Sequence, residues 1–450
     1  MTPCLRSLGL ALLAIAAGCE GVTPPEALPP PIDTQLRDTL QRWSVVPIGA
    51  LPAQDPTLVD LGRALMFDPI LSGNRDVACA TCHHPSTALG DGLPLAVGTG
   101  GTGLGPSRTL GVGRQFVPRN APSLLNVGLG LTWVFWDGRI SSFQSGVATV
   151  PSGVTVPSGL PNVVAVQAMF PVLARAEMRG EPGDRDVLGN PNELAQFADS
   201  EFVQTWQALM RRVLAIPEYV TKFNAAFPGT PTGQLGFQDA ATAIAAFELQ
   251  AFTKARSPFD RYLDRDDAAL TIQEKRGALL FFGKARCSEC HNGPLLGANQ
   301  FANTGVPQIG PGVGAAAPLD LGRGGLPNND FYRFAFRVAP LRNVELTAPY
   351  MHNGAFPTLE AVVRHYNDVP GALRGYDASQ LSPAVRALYH GDAATTNAVL
   401  ARLDFRLAPL RFTEAEQSDL VTFLKSLTDP AARDLSALVP ARVPSGLPVR

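Results

Sequence analysis

No long basic run occurs anywhere in the 450 residues, and the formal net charge is only -2. That balance argues against nucleic acid as a partner. Beyond an N-terminal leader there is no apolar stretch long enough to span a bilayer. What is abundant instead is glycine and proline, Gly 43 and Pro 40, high for a helical protein but below the range of a disordered one. They read as helices joined by long ordered loops. The length allows two or three domains with ample core.

Cysteine is scarce too, and all six can be assigned. Four lie in Cys79-Ala80-Thr81-Cys82-His83 and Cys287-Ser288-Glu289-Cys290-His291. Each is a Cys-x-x-Cys-His, the pattern for covalent c-type haem: two thiols add to the vinyl groups and the adjacent imidazole becomes an iron ligand. A structural zinc site is the competing reading, but zinc ribbons place their knuckles much closer than Cys82 and Cys287. Zinc also gives no reason for a His after both second cysteines. A thioredoxin-like site would need one knuckle and has no use for that His. Cys4 and Cys19 fall in the leader, so no thiol is left for a disulfide.

The leader carries Arg6, an apolar run from Leu8 to Ala17, and then Gly18-Cys19. Residues 1–18 therefore read as a secretory signal too short to span a bilayer. Ala16-Ala17-Gly18-Cys19 resembles a bacterial lipobox with Ala16 where Leu is usual, which makes Cys19 the expected site of a lipid anchor. The alternative is an ordinary signal cut near Ala17. Either route exports the mature chain to the periplasm, as covalent haem attachment in bacteria requires. Residues 19–50, Pro-rich from Val22 to Pro31, read as a tether between anchor and folded body.

Apolar periodicity predicts a mainly α fold, with helices near Leu58–Met66, Glu201–Leu214, Gln238–Phe252, Thr271–Phe282, Thr358–Asn367 and Thr413–Ser426. The first and fourth each lead into a Cys-x-x-Cys-His. Long irregular stretches are expected over Gly90–Pro118, about Ser145–Gly159 and about Gly293–Asp330. Pro258 in Ser257-Pro258-Phe259-Asp260 reads as a break. With the charged stretch Asp264–Asp267 it sets a boundary between an N-terminal haem domain, 51–265, and a C-terminal one, 266–430. Residues 431–450 are a Pro-rich tail expected to pack as extended chain.

Five further stretches carry a family resemblance. With Cys79–His83 and Cys287–His291 come Arg119-Asn120-Ala121-Pro122, Phe135-Trp136-Asp137-Gly138-Arg139, Ala176-Glu177-Met178, Leu341-Arg342-Asn343-Val344 and Thr347–Gly354. In that order they resemble the bacterial di-haem cytochrome c peroxidase superfamily and, within it, the MauG-like branch. The resemblance implies two cytochrome c-like domains whose haems, on His83 and His291, face across the domain interface.

Two departures select the branch. Conventional members carry a second His sixteen residues after the first haem His, and Thr99 stands there in this chain. The first haem is thus expected to be open without reductive activation. The second haem is usually capped by a Met fourteen residues after the His of Tyr-x-His-x-Gly; here that position is Tyr366, as in MauG-like proteins. A thioether favours ferrous iron, whereas an anionic phenolate favours the more oxidised iron and lowers the potential. Ordinary core packing is the other reading of Tyr366, with Val362 one turn away. Met351, His352 and His365 are rival ligands.

By the same resemblance Glu177 is the distal carboxylate that moves a proton during O–O cleavage. A lone Glu is otherwise a surface charge, or one held ionised by Arg175 and Arg179. Trp136 is the implied electron relay between the haems, against a reading as interdomain filler; Asp137 and Arg139 shape its turn. A calcium ion between the domains is implied on the Asn120 side chain and the Thr347 and Pro349 carbonyls. His84 and His390 read as surface residues.

The expected protein is an exported di-haem peroxidase that takes hydrogen peroxide at the first haem and stores oxidising equivalents over both. Those equivalents would oxidise Trp or Tyr on a periplasmic partner protein. The nearest alternative is a peroxide-detoxifying enzyme fed by a small cytochrome c or cupredoxin. A non-enzymatic di-haem electron carrier is the alternative from another class; it needs two six-coordinate haems, and Thr99 counts against it.

Overall fold

The computed structural model describes residues 31–49, 51–142, 148–151, 153–297 and 300–449. The signal, Cys19 and the Val22–Pro30 part of the expected tether lie outside the described residues, as does part of the insert expected from Ser145. No helix among the described residues is long and apolar enough to cross a membrane.

Two helix pairs organise the chain, and they are built alike. In the first half the Pro56–Phe67 helix lies along Phe237–Ala251; in the second, Ile272–Phe282 lies along Glu414–Ser426. Each crossing is made at a glycine. A Cβ on Gly62 would sit 1.9 Å from the Ala243 carbonyl oxygen, and one on Gly277 would sit 2.0 Å from that of Asp419. Only a residue without a side chain allows backbones this close. Local sequence starts the second pair of helices: Thr271 with Glu274, and Thr413 with Glu416, form reciprocal capping boxes. Asp55 caps the first, with Pro56 at the position where a missing N–H costs nothing.

Each pair carries its own core. Leu61, Leu65, Leu209, Tyr219, Phe223 and Ile244 anchor the first. Phe259, Phe281, Phe282, Leu420 and Phe423 anchor the second, where the Phe259 and Phe423 rings meet edge-on at 5.3 Å. Among the described residues strand is confined to a three-stranded antiparallel patch, Trp133–Val134, Ile140–Ser142 and Ala148–Thr149, and a two-stranded one that pairs Phe301 with Arg337 and Ala302 with Phe336.

Three expectations need correction. Within the segment 19–50 read as tether, Ile32–Arg42 is a helix. Leu36 and Leu40, one turn apart, are buried in the second core, and Asp33 accepts from Lys275 Nζ at 2.8 Å. The proline run obscured it, because Pro31 stands at its N-cap, just ahead of the first helical residue. Ser257-Pro258-Phe259-Asp260 is likewise a helix start: Ser257 and Asp260 form a capping box for Pro258–Leu263. Phe259 and Tyr262 belong to the second core, so this helix packs with residues 266–430.

The tail beyond Asp429, expected as extended chain, contains short turns at Pro430–Ala432 and Ser436–Leu438 and folds back over the first half. Arg63 Nε donates to Leu438 O at 2.8 Å, and Ser445 Oγ donates to Asp68 Oδ1 at 2.6 Å. The N-terminal helix thus braces the second half while the C-terminal tail braces the first.

Candidate active site

The first Cys-x-x-Cys-His forms a short helical turn of its own at Cys79–Cys82, the second follows closely on the Ile272–Phe282 helix, and after each a turn grips the imidazole. His83 Nδ1 lies 3.0 Å from Leu89 O, and His291 Nδ1 lies 3.1 Å from Leu296 O. A carbonyl can only accept, so Nδ1 carries the proton in each ring and Nε2 is left as the metal-binding nitrogen. Burial lowers the pKa of both imidazoles, that of His291 to about 4, keeping them neutral and fit to ligate. Burial pushes the unattached Cys79 and Cys287 thiols up to about 12. No other cysteine competes among the described residues.

Beside the first motif lies the carboxyl of Glu177. Glu177 lies in Arg175–Arg179, a turn of π-helix in which Arg179 N–H donates to Ala174 O and Gly180 N–H to Arg175 O. Such wide turns are rare and concentrate at functional sites. Burial raises the pKa of the Glu177 carboxyl to about 7, with the Arg139 charge opposing. It lies close enough to Cys79 and Cys82 for its charge to act on both thiols. Arg175 and Arg179, considered as its partners from sequence, instead both turn onto Asp199, Arg175 Nε at 2.7 Å. The π turn spreads the side chains so that Glu177 points away from its two arginine neighbours.

The Gly90–Pro118 loop presses on the back of that turn. Thr99 N–H donates to Glu177 O at 3.0 Å, while Thr99 Oγ1 donates to Asp76 at 2.9 Å. The residue in place of the family's second His is therefore buried and engaged away from the haem motif. Arg108 fastens the same loop through Val97 O and Gly98 O, both at 2.7 Å. A Cβ on Gly98 would come within 2.1 Å of Ala176 O and 2.3 Å of Glu177 O. Gly98→Ala is accordingly expected to displace the π turn, costing about 1–3 kcal/mol as overpacking does. Denaturant unfolding checks the stability loss, and stopped-flow mixing with peroxide checks an accompanying loss of reactivity.

The second motif opens on a large cavity between the halves, with Cys287, Cys290, His291, Trp136, Arg337 and Tyr366 in its wall. The donor set fits a covalent haem. Arg337 is buried, and its Nη1 has no hydrogen-bond partner, which suits a propionate carboxylate. Of the four ligand candidates, Tyr366, Met351 and His352 line this cavity and His365 does not. His365 Nε2 is held by Thr304 O at 2.8 Å. His352 stacks on Phe336 at 3.5 Å between ring centres. Tyr366 is the candidate whose phenol feels the Cys287 and Cys290 thiols, and burial raises its pKa. Val362 lines the cavity on the same helix face.

Trp136 donates its indole N–H to Asn120 O at 2.9 Å, and its carbonyl accepts from Arg337 N–H at 2.7 Å. Asp137 shapes the turn as expected: Oδ1 accepts from Arg139 N–H at 3.1 Å and Oδ2 meets Arg119 Nη1 at 2.6 Å. Burial opposes the Asp137 charge, yet Arg139 and Arg119 hold the carboxyl below the usual range. Arg119 also reaches across the halves to Asp320 at 2.7 Å. Asn120, Thr347 and Pro349 all line the cavity, and the Asn120 amide nitrogen is turned onto Leu93 O at 2.7 Å. His84 and His390 are half-buried; His390 Nε2 lies 3.2 Å from Gly310 O.

Sequence reasoning passed over two buried acids beside the first motif. Glu248 and Asp91 each keep one carboxylate oxygen unpartnered, and burial raises them to about 8 and about 7. Their charges reach Cys79 and Cys82, respectively. A visible signal existed for Glu248, the lone charge in Ala243-Ile244-Ala245-Ala246-Phe247-Glu248-Leu249.

Comparison with known proteins converges on one family. Residues 56–268 match the family model for di-haem cytochrome c peroxidase. The methylamine utilization protein MauG of Methylorubrum extorquens is 30% identical over 406 residues, covering 90% of this chain and 87% of that protein. The cytochrome c551 peroxidase of Pseudomonas aeruginosa is 32% identical over 297 residues, 66% of this chain and 67% of that one. Among solved structures, a MauG-like protein associated with microbial copper homeostasis superposes with a TM-score of 0.57 at 25% identity, covering 86% of this chain and 95% of that one.

Proposed function

The chain belongs to the di-haem cytochrome c peroxidase family, a peroxidase carrying two covalent haem c groups, and on that premise we propose that it is a MauG-like storer of oxidising equivalents. In this reading it takes hydrogen peroxide at an open first haem and spends the equivalents on a partner protein. The observation that carries it is Tyr366 in the wall of the second cavity, within electrostatic reach of Cys287 and Cys290.

The haems supply the reducing electrons for peroxide and hold the resulting oxidation. Everything else falls to side chains. Cys79, Cys82 and His83 hold the first group, and Cys287, Cys290 and His291 the second. The Glu177 carboxylate takes the proton from the inner peroxide oxygen and returns it to the leaving oxygen, a transfer suited to a pKa near the working pH. Its value of about 7 supports the assignment. Trp136, in the cavity wall between the halves, offers an oxidisable ring midway. Arg337, with its unpartnered Nη1, would hold a propionate. Asn120 Oδ1 and the Thr347 and Pro349 carbonyls form a hard oxygen set for calcium. In the same reading the protein works in the periplasm, with Cys19 as its lipid-anchor site.

Optical and EPR spectra of the purified ferric protein, before and after one equivalent of peroxide, test the reading. One high-spin and one low-spin haem, and a long-lived oxidised state, are the expected result. Reactivity only after prior reduction would instead assign a conventional detoxifying peroxidase fed by a small cytochrome c or cupredoxin. Two low-spin haems inert to peroxide would leave an electron carrier.

A further inference from the structure

From Tyr366 a continuous run of rings leads out of the second half to the surface. Tyr366 meets His365 at 5.5 Å between ring centres, His365 meets Phe356 at 4.7 Å, Phe356 meets Tyr376 at 5.9 Å, and Tyr376 meets Tyr389 at 5.5 Å. Tyr389 is partly exposed, while His365 is buried. We propose that Tyr389 is the exit terminal for oxidising equivalents, reached from the second haem through Tyr366, His365, Phe356 and Tyr376, and that the outgoing equivalent is taken up by an exposed phenol or indole side chain of a partner protein.

The inference rests on the storage reading above and adds where the equivalents leave. Two bridging rings, His365 and Phe356, separate the oxidisable Tyr366 from the oxidisable pair Tyr376 and Tyr389. His365 is fixed by Thr304 O, 2.8 Å from its Nε2, and Phe356 carries no ionisable group. Tyr376 donates its hydroxyl to Ala355 O at 2.8 Å, which fixes the ring between Phe356 and Tyr389. In each outward step Tyr389 loses one electron inward along the run and its phenolic proton to water, which its exposure allows. The resulting tyrosyl radical regains an electron and a proton from the donor phenol or indole. Two such steps match the two electrons that one hydrogen peroxide consumes.

A second aromatic run also reaches the surface, through Trp133, Phe301 and Tyr332 to the exposed Phe331. The Arg323 guanidinium lies over three of its rings, 4.4 Å from Trp133, 4.2 Å from Phe301 and 5.7 Å from Tyr332. A cation on a ring face opposes a positive charge forming in that ring. Among the described residues no such cation stands over Tyr376 or Tyr389.

The test uses the two-haem holoprotein and one equivalent of peroxide without added reductant. A nitroso spin trap is present, and the trapped residue is located by peptide mass spectrometry. The adduct is expected on Tyr389 in the wild type. Tyr389→Phe together with Tyr376→Phe keeps both rings packed and is expected to lengthen the life of the oxidised state about tenfold, read optically. An oxidised state that forms in the wild type, with the adduct elsewhere or with unchanged decay in the double variant, overturns the exit alone. A wild type that never accumulates the oxidised state overturns the storage reading and the exit with it.

Discussion

Replacing Glu177 with glutamine is expected to slow the reaction of the ferric protein with hydrogen peroxide by about 10²–10⁴-fold, the usual span of general acid–base catalysis. Glutamine keeps the size of the side chain, and the contacts that place this turn are made by main-chain atoms: Thr99 N–H to Glu177 O, Arg179 N–H to Ala174 O and Gly180 N–H to Arg175 O. The variant should therefore lose proton transfer without losing the turn. The pH profile separates this from a structural effect. With a pKa raised by burial to about 7, the wild-type carboxyl is protonated, and useless as a base, below that pH. The rate constant should fall as pH drops through about 7 in the wild type and lose this limb in Glu177→Gln.

Stability should move the other way. Between the ordinary value of 4.5 and about 7 the native state binds the Glu177 proton and the unfolded chain does not. Stability contributed by this group therefore declines as pH rises through that window. At neutral pH the variant should unfold no more easily than the wild type.

What the sequence makes legible here is whatever is decided locally. The apolar spacing over Thr271–Phe282 and Thr413–Ser426 announces helices, and both form, each started by a cap between residues three apart, Thr271 with Glu274 and Thr413 with Glu416. The haem motifs are equally local. Pro258 shows the limit of such signals: the same proline that cannot continue a helix is suited to begin one, and Ser257 and Asp260 decided for the beginning. The Ile32–Arg42 helix owes its place to Leu36 and Leu40 meeting a partner more than two hundred residues away, at Ile272–Phe282, which no window of sequence contains. The site follows the same division. Glu177 was found through its motif, but its freedom from Arg175 and Arg179 depends on a π turn braced by Thr99 and on an Asp199 that collects both arginines. Arg337, Glu248 and Asp91 carry meaning only through burial beside a cavity or a haem motif.

Tyr366→Met should produce the largest change at the second haem. Tyr366 shares one cavity with His291, and its helix, Leu359–Asn367, is held by the Thr358 cap and by Leu359 and Val363 in the second core, so a methionine there would present its thioether to the same space. With Tyr366 as the proposed ligand, exchanging its hard anionic oxygen for a soft neutral sulfur would remove stabilisation from the more oxidised iron and add it to the reduced form. The midpoint potential of that haem is expected to rise by roughly 0.1–0.4 V, within the ~0.8 V that axial ligation spans across haem proteins. Spectroelectrochemical titration measures it directly. Because the first haem and Glu177 are untouched, peroxide should still be consumed; the second site, now easier to reduce, should no longer hold oxidation, and the variant should behave as a conventional peroxidase toward a small reduced cytochrome. If burial against Val362 were the whole role of Tyr366, the potential would stay where it was and the oxidised state would live as long as in the wild type.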